Sequence, residues 1–333
     1  MKGVFSLYFP VMLFFLSLET KGQDASFSQF YANPIYLNPA LAGNTECGRL
    51  NLNYRNQWPS LSQAFLTYSV AYDQNLPSIN SGYGLFIMRN DQGDGAYSRT
   101  QAAAIYSYKL QLSARSTLHF GMKAAFYQES IQWDKLIFPD MISSSTGLAN
   151  LPTSELRPDK PTVYMADFAA GLSYGYDDKF FAGLSADHLS QPELSFYDLS
   201  DERLRLRTTL HAGININATN QTIGEVEKGD LLIQPNLLFL QQDEYSQLNM
   251  GVYFAKAPFV TGLWYKHSAQ NADAIAALVG LQWNNLRVGY SYDYTVSQLA
   301  GRGGGAHEVS LGWDFCVYYE AKRKVRTIKS PVF

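Results

Sequence analysis

The residues able to do chemistry are few and scattered. Five histidines are present, His119, His188, His211, His267 and His307. None stands in an HExxH or HxH pattern, and neither cysteine, Cys47 or Cys316, has ligand spacing, so no metal site is expected. His188 and Ser190 are two residues apart, and a lipid hydrolase would need such a pair facing each other near a pore rim. Two polar residues at a strand end are the better reading. No GxSxG elbow and no P-loop occur. The glycine-rich stretch Gly301–Gly305 lacks the Lys-Ser/Thr ending and the following helix of a phosphate loop, and reads as an outer connection. No catalytic, cofactor-binding or metal residues are expected, and the chain reads as a non-enzyme.

Two segments have binding chemistry instead. The first is Phe27-Ser-Gln-Phe-Tyr-Ala-Asn-Pro-Ile-Tyr-Leu-Asn-Pro-Ala-Leu-Ala-Gly43. Pro34 and Pro39 fix φ and push Asn33 and Asn38 toward extended backbone, which makes a stiff, non-helical strap. Its shape is set by Asn33, Pro34, Asn38 and Pro39, and Phe30, Tyr31 and Tyr36 give it apolar contacts. Such irregular backbone cannot cross lipid exposed. It therefore lies in a lumen or against a rim, as a plug or as a partner surface. The second is the basic run Lys322, Arg323, Lys324, Arg326 and Lys329, either a solvated tail or a docking segment for an acidic or glycan-associated partner.

The elements that would position these segments follow from the rest of the chain. Residues 1–22 read as a signal peptide: Lys2, an apolar run from Val4 to Leu18, then small residues Thr20 and Gly22. Export implies an oxidising compartment, where a cysteine pair is more often a disulfide than a metal site. No later apolar run approaches the ~20 residues of a spanning helix. Removal of Lys2, Lys21 and Glu19 leaves a mildly acidic mature chain, with no global basic field for nucleic acid. Aromatics make up 14% of the chain, enough for two interfacial girdles.

Alternation with period 2 dominates. Val309, Leu311 and Trp313 alternate with Glu308, Ser310, Gly312 and Asp314; Leu286, Val288, Tyr290 and Tyr292 alternate with Arg287, Gly289, Ser291 and Asp293. Fourteen such strands are expected between residues 48 and 316, an even number, with apolar residues toward lipid and polar ones toward the lumen. Connections alternate long and short, as in outer-membrane barrels with long outer loops and short periplasmic turns. Residues 218–230 are long for a turn, and 242–245 short for a loop. The predicted fold is thus all-β, an outer-membrane barrel of about 14 antiparallel strands. It divides into signal peptide 1–22, strap 23–46, barrel 47–318 and basic tail 319–333, with both termini in the periplasm. Closure makes the first and last strands neighbours, so Cys47 and Cys316 are expected to form a disulfide.

The strap, followed by Tyr54-Arg-Asn-Gln-Trp-Pro59 and then by Gly93-Asp-Gly95, Tyr106-Ser-Tyr108 and Trp133-Asp-Lys-Leu136, resembles the PorP/SprF family of the type IX secretion and gliding machinery. The resemblance covers the chain from about residue 25 to its end. Ser330 departs from the Cys-Pro associated with that family near the C-terminus. The resemblance implies a barrel in the general secretion assembly or one serving a single large cell-surface adhesin. The expected partners are type IX components, such an adhesin, and surrounding membrane lipid. The partner-binding residues are expected to be Phe30, Tyr31, Asn33, Pro34, Tyr36, Asn38, Pro39, Lys322, Arg323, Lys324 and Arg326. The alternatives are a barrel transporting small solutes, resembling fatty-acid channels, or a lipid-acting enzyme.

Overall fold

A computed structural model of the chain describes residues 24–61, 65–143, 147, 151–197, 202–224, 229–269, 273–296, 303–315 and 327–328. The predicted signal peptide, Cys316 and the basic run at 322–326 lie outside the described residues.

The strands are β1 (Gly48–Gln57), β2 (Phe65–Leu76), β3 (Ser81–Gln92), β4 (Tyr97–Gln111), β5 (Ser116–Ile131), β6 (Thr162–Tyr176), β7 (Phe180–Asp187) and β8 (Arg207–Ile214). A small hairpin, β9 (Ile216–Asn217) and β10 (Thr222–Ile223), follows. The rest are β11 (Leu232–Gln242), β12 (Tyr245–Lys256), β13 (Phe259–Ser268), β14 (Ala274–Trp283), β15 (Leu286–Thr295) and β16 (Ala306–Phe315). Every neighbour pairs antiparallel. β1 meets β16 with Leu52 opposite Leu311, and β8 meets β11 with Leu210 opposite Phe239, so fourteen strands close into a barrel.

The pleat decides what each face meets. Along β16, Val309, Leu311 and Trp313 are exposed, while Glu308 and Ser310 are buried. Along β15, Val288 and Tyr290 point outward and Arg287 and Ser291 inward. An apolar outer wall over a polar inner one inverts the plan of a soluble protein and suits a barrel in lipid. On that wall, Ala102, Ala104 and Ala124 floor a shallow trough of about 520 Å³ between Phe126 and Phe168.

The connections distinguish the two rims. One rim carries residues 132–161 and 188–206; the other carries the tight links 112–115, 177–179 and 284–285. The exceptions visible in the sequence persist. The link 215–231, on the tight rim, is lengthened by the β9–β10 hairpin, and on the opposite rim only residues 243 and 244 join β11 to β12.

Candidate functional site: the strap in the lumen

Residues 27–44 are buried inside the barrel. Asn38 is extended as expected, but Asn33 (φ −131°, ψ 69°) is not, and the strap contains short helical turns where a non-helical segment is expected. Pro34 opens a single helical turn (Pro34–Leu37) and Pro39 a 3₁₀ turn (Pro39–Leu41). Proline suits such a first position because its missing N–H would have no helical partner there. Asn38, between the turns, is extended, and its Oδ1 accepts from the Ala40 amide at 2.9 Å.

At the long-connection rim the strap is held by charge. Asp24 lies 2.6 Å from Arg99, 2.7 Å from His188 and 3.1 Å from Arg207. Burial alone would raise its carboxyl pKa, but His188, Arg99 and Arg207 together hold it well below the usual carboxylate range. Burial likewise opposes charge on His188, yet Asp24 and Asp167 outweigh it and raise the imidazole to about 9. His188 faces Asp167 through Nδ1 and Asp24 through Nε2, each at 2.7 Å, while the Ser190 hydroxyl donates to Asp167. With both ring nitrogens facing carboxylates, neither is placed to take a serine proton. His188 and Ser190 are parts of an ion network rather than a nucleophile and its base.

A second network lies four residues along, at Ser28. The backbone amides of Ser28 and Gln29 donate to Glu308 at 2.7 and 3.1 Å. Arg55 bridges Glu308 at 3.1 Å and Asp293 at 3.0 Å, and Lys266 adds a contact of 2.8 Å to Asp293. The Ser28 hydroxyl accepts from Arg55 and donates to Asp293.

Further down, shape replaces charge. Tyr36 stacks on Phe86 with centroids 5.4 Å apart, Phe30 meets Trp264 edge-on at 5.1 Å, and Tyr31 meets Phe181 at 5.8 Å. Asn33 donates to the Ser69 hydroxyl at 3.1 Å. Asn38 Nδ2 donates to the Leu172 carbonyl at 2.9 Å and reaches the Leu184 carbonyl at 3.3 Å. Glycines on the inner wall make room for this backbone. A Cβ on Gly121 would overlap the Ala40 amide, one on Gly171 the Asn38 side chain, and one on Gly82 the Ala42 carbonyl. The strap leaves at Gly43, whose φ of +62° favours glycine. There its amide donates to Asp73 at 2.8 Å and its carbonyl accepts from Lys109.

The seven strap residues read as candidate partner contacts are therefore all buried against the barrel: Phe30, Tyr31, Asn33, Pro34, Tyr36, Asn38 and Pro39. The expectation that both chain ends gather at one rim also needs correction. Asp24 contacts Arg99, His188 and Arg207, all at the long-connection ends of their strands, whereas β16 ends at the opposite rim. An even strand count places the ends of β1 and β16 together, but the strap runs the length of the lumen before β1 begins. The networks around Asp24 and Glu308 escaped sequence reading because their members are spread over the whole chain. The glycine row had a visible signal: glycines inside strands mark close backbone approach.

Two cavities beside the strap, lined by described residues, are small. The cavity beside Asp24, Tyr36 and Arg207 measures about 10 Å³ and the one beside Phe27 and Leu37 about 20 Å³, roughly one water each. Cys47 is disulfide-bonded, and the next residue, Gly48, pairs with Phe315; the predicted partner Cys316 lies outside the described residues.

A plugged barrel whose opening strap carries both N-P turns fits one family. The model of the type IX secretion system membrane protein PorP/SprF matches residues 19–313. The chain belongs to the PorP/SprF family. This makes it an outer-membrane barrel of a secretion-system family, and the resemblance drawn from the strap stands. A search of curated proteins finds no match. Among solved structures, the chain is similar to the Ralstonia pickettii toluene transporter TbuX, with a TM-score of 0.51 at 8% identity, over 85% of this chain and 93% of that one. The P. putida toluene transporter TodX gives 0.50 at 10% identity, over 84% and 93%. At such identities the likeness is one of fold.

Proposed function

We propose that this PorP/SprF member is a non-enzymatic accessory barrel of type IX secretion, which supports export or surface anchoring of a partner protein such as a gliding adhesin. The observation that carries the reading, beyond family membership, is the filled lumen. A wall bonded to its own strap along most of its length works as a scaffold, and its partners meet the rims and loops. Solute transport would require the strap to leave, which breaks the buried ion pairs of Asp24 and the hydrogen bonds of the Ser28 and Gln29 amides to Glu308.

In this reading the tight-turn rim faces the periplasm, the usual sidedness of outer-membrane barrels, and the mature N-terminus opens toward the outer loops. The strap contributes by filling and stiffening the barrel. Direct contact falls to the basic tail, where Lys322, Arg323, Lys324 and Arg326 attract an acidic periplasmic partner. A Cys47–Cys316 bond staples the seam between β1 and β16; two titratable thiols in protein purified without reductant would rule it out.

The test is complementation of a deletion strain with the four tail cations changed to glutamine. Insertion is checked by heat-modifiable migration. Inserted barrels that lose secretion or adhesin display support the tail as contact surface. Full display by an inserted variant would refute it and turn attention to the long loops.

A further inference from the structure

Among the described residues, the outer half of β6 has a strand on one side only. β6 pairs along its length with β5, from Thr162 opposite Ser130 to Tyr176 opposite Ser116. On the other side β7 covers Ala170 to Tyr176 and stops. Past Asp187 the chain turns off. His188 has a φ of +62° and Gln191 one of +42°, and the connection folds back on itself through a bridge between Glu193 and Arg203. Leu194 packs against the apolar cluster that holds Met165 and Leu204. The connection touches the edge of β6 through its backbone at two places. The Leu189 amide donates to the Phe168 carbonyl at 3.0 Å, and the Lys160 amide donates to the Phe196 carbonyl at 3.1 Å.

Between those contacts the edge is open. Successive strand residues turn their backbone groups to opposite sides. The Pro161 carbonyl accepts from Ile131 on the β5 side, and the Phe168 carbonyl accepts from Leu189 on the other, so the even-numbered residues of this half face away from β5. Among the described residues, the N–H and C=O of Thr162 and Tyr164 and the N–H of Ala166 meet no partner there, while the Ala166 carbonyl has the Ser190 hydroxyl at 3.4 Å. Sheet edges are usually blunted by lysine, proline or a bulge. Thr162-Val-Tyr-Met-Ala166 carries no lysine or proline, and its register against β5 is unbroken. Tyr164 and Phe168 point outward, and Tyr164 stacks on Phe126 at 5.9 Å, so the edge opens at an aromatic level of the wall.

We propose that the edge of β6 from Thr162 to Ala166 is a docking site for an extended, uncharged segment of a partner protein, which adds to the barrel wall as a strand. The chemistry selects this occupant. A lipid tail offers backbone no hydrogen bond, whereas a strand supplies both donors and acceptors whatever its sequence. Its outward side chains lie beside Tyr164 and Ala166 and its inward ones beside Val163 and Met165, so neither face favours charge. A second copy fits poorly. Strands of such barrels tilt by about 35–45°, so the β6 edges of two copies sharing one membrane orientation cross at a wide angle and cannot form a ladder. The segment enters from the outer end, where it parts the bond between Lys160 and Phe196. The His188 that pairs with Asp24 and Asp167 is also the residue at which the chain leaves β6, so the seated strap and the bare edge share one anchor. This deepens the reading above by adding a second contact to the tail, and rests on it for the partner's identity; the open edge stands on its own geometry.

The test uses proline, which removes one N–H. Ala166→Pro deletes an edge donor and leaves the β5–β6 ladder whole, because the Ala166 amide faces away from β5; Ala166→Val keeps the donor. The probe is a fluorescent Thr-Val-Thr-Val-Thr peptide blocked at both ends, titrated onto the full-length barrel in lipid nanodiscs, with a copy N-methylated at every residue as control. The unaltered barrel and Ala166→Val should bind the probe saturably, Ala166→Pro should bind it about tenfold or more weakly, and the methylated copy should not bind. Absence of saturable binding to the unaltered barrel, or equal binding by Ala166→Pro, would overturn the docking edge. So would a barrel dimer that Ala166→Pro dissolves, since the edge would then serve a second copy. Heat-modifiable migration confirms insertion, and Tyr164→Pro, which removes the neighbouring edge donor, replaces Ala166→Pro if that variant does not insert. In the deletion strain, Ala166→Pro should display less adhesin than Ala166→Val. Equal display by the two variants would overturn the edge as the partner's site, whereas full display by the deletion strain itself would remove the accessory reading whatever the probe shows.

Discussion

The two ends of the strap are held by different physics. Near Asp24 and Ser28 the bonds are ionic, and each carboxylate shares its cations with others. From Pro34 to Gly43 the hold is mainly steric: two short turns, an asparagine bonded to wall carbonyls, and glycines that let backbone approach backbone, with charged groups meeting Tyr36 (Arg207) and Gly43 (Asp73 and Lys109). A buried charge network is sensitive to loss of a partner or of a proton, because the remaining charge stays desolvated. A shape-matched segment is indifferent to pH but intolerant of added volume. The difference implies that the strap can be loosened at its outer end without disturbing its seat nearer the opposite rim.

The largest expected effect comes from the charged end. Arg55→Met leaves Glu308 and Asp293 buried with Lys266 as their remaining cation, and removing one partner of a buried pair typically costs about 3–5 kcal/mol. Denaturant unfolding in detergent should show a loss of that order; a change below about 1 kcal/mol would mean the network is hydrated and weak.

Protonation should act on the same end in both directions. The folded pKa of His188 is raised to about 9, above its ordinary 6.5, so its stabilisation is complete below about 6.5 and is lost as pH rises through 9. Asp24 is depressed, so its contribution is present above the ordinary carboxylate value of about 4 and lost as pH falls below it. Between those limits the pair is fully charged. The strap's outer end should become protease-sensitive at about pH 10 and again near pH 3, while the Pro34–Ala42 part resists. Equal release of both parts would erase the distinction.

Volume should do the reverse. Gly121→Ala places a methyl group against the Ala40 amide, and overpacking of this kind costs about 1–3 kcal/mol. The loss should be the same at pH 7 and pH 10, since no titrating group is involved. Comparable in size is Asn38→Ala, which removes the contacts to the Leu172 and Leu184 carbonyls and to His211 together with the bond to the Ala40 amide, at about 1 kcal/mol for each well-formed bond. A variant as stable as the parent would show that the glycine row alone seats the strap.

The barrel was legible in the sequence because its physics is local. Alternation in β15 and β16 specifies face and register at once, and loop lengths separate the rims. The plug was half legible. Pro34 and Pro39 announce stiff irregular backbone that lipid excludes, but they leave open which surface it meets. That choice depends on Asp24, Arg99, His188, Glu308 and Arg55, residues that only the closed barrel brings together. The direction of the strap was hidden for the same reason, since an even strand number constrains strands and says nothing about a segment threaded through the lumen. The burial of Ile328 is not legible, because one apolar residue among cations carries no periodic signal.

Hydrogen exchange along residues 24–44 in the intact barrel tests the seated plug most directly. In the unaltered protein, both the 24–31 and the 34–43 segments should be strongly protected. In an Asp24→Asn, His188→Gln double variant at pH 7, exchange in 24–31 should rise by about tenfold or more while 34–43 stays unchanged. Free exchange of the whole strap in the unaltered protein, or equal acceleration of both segments in the variant, would contradict a plug held by charge at one end and by shape at the other.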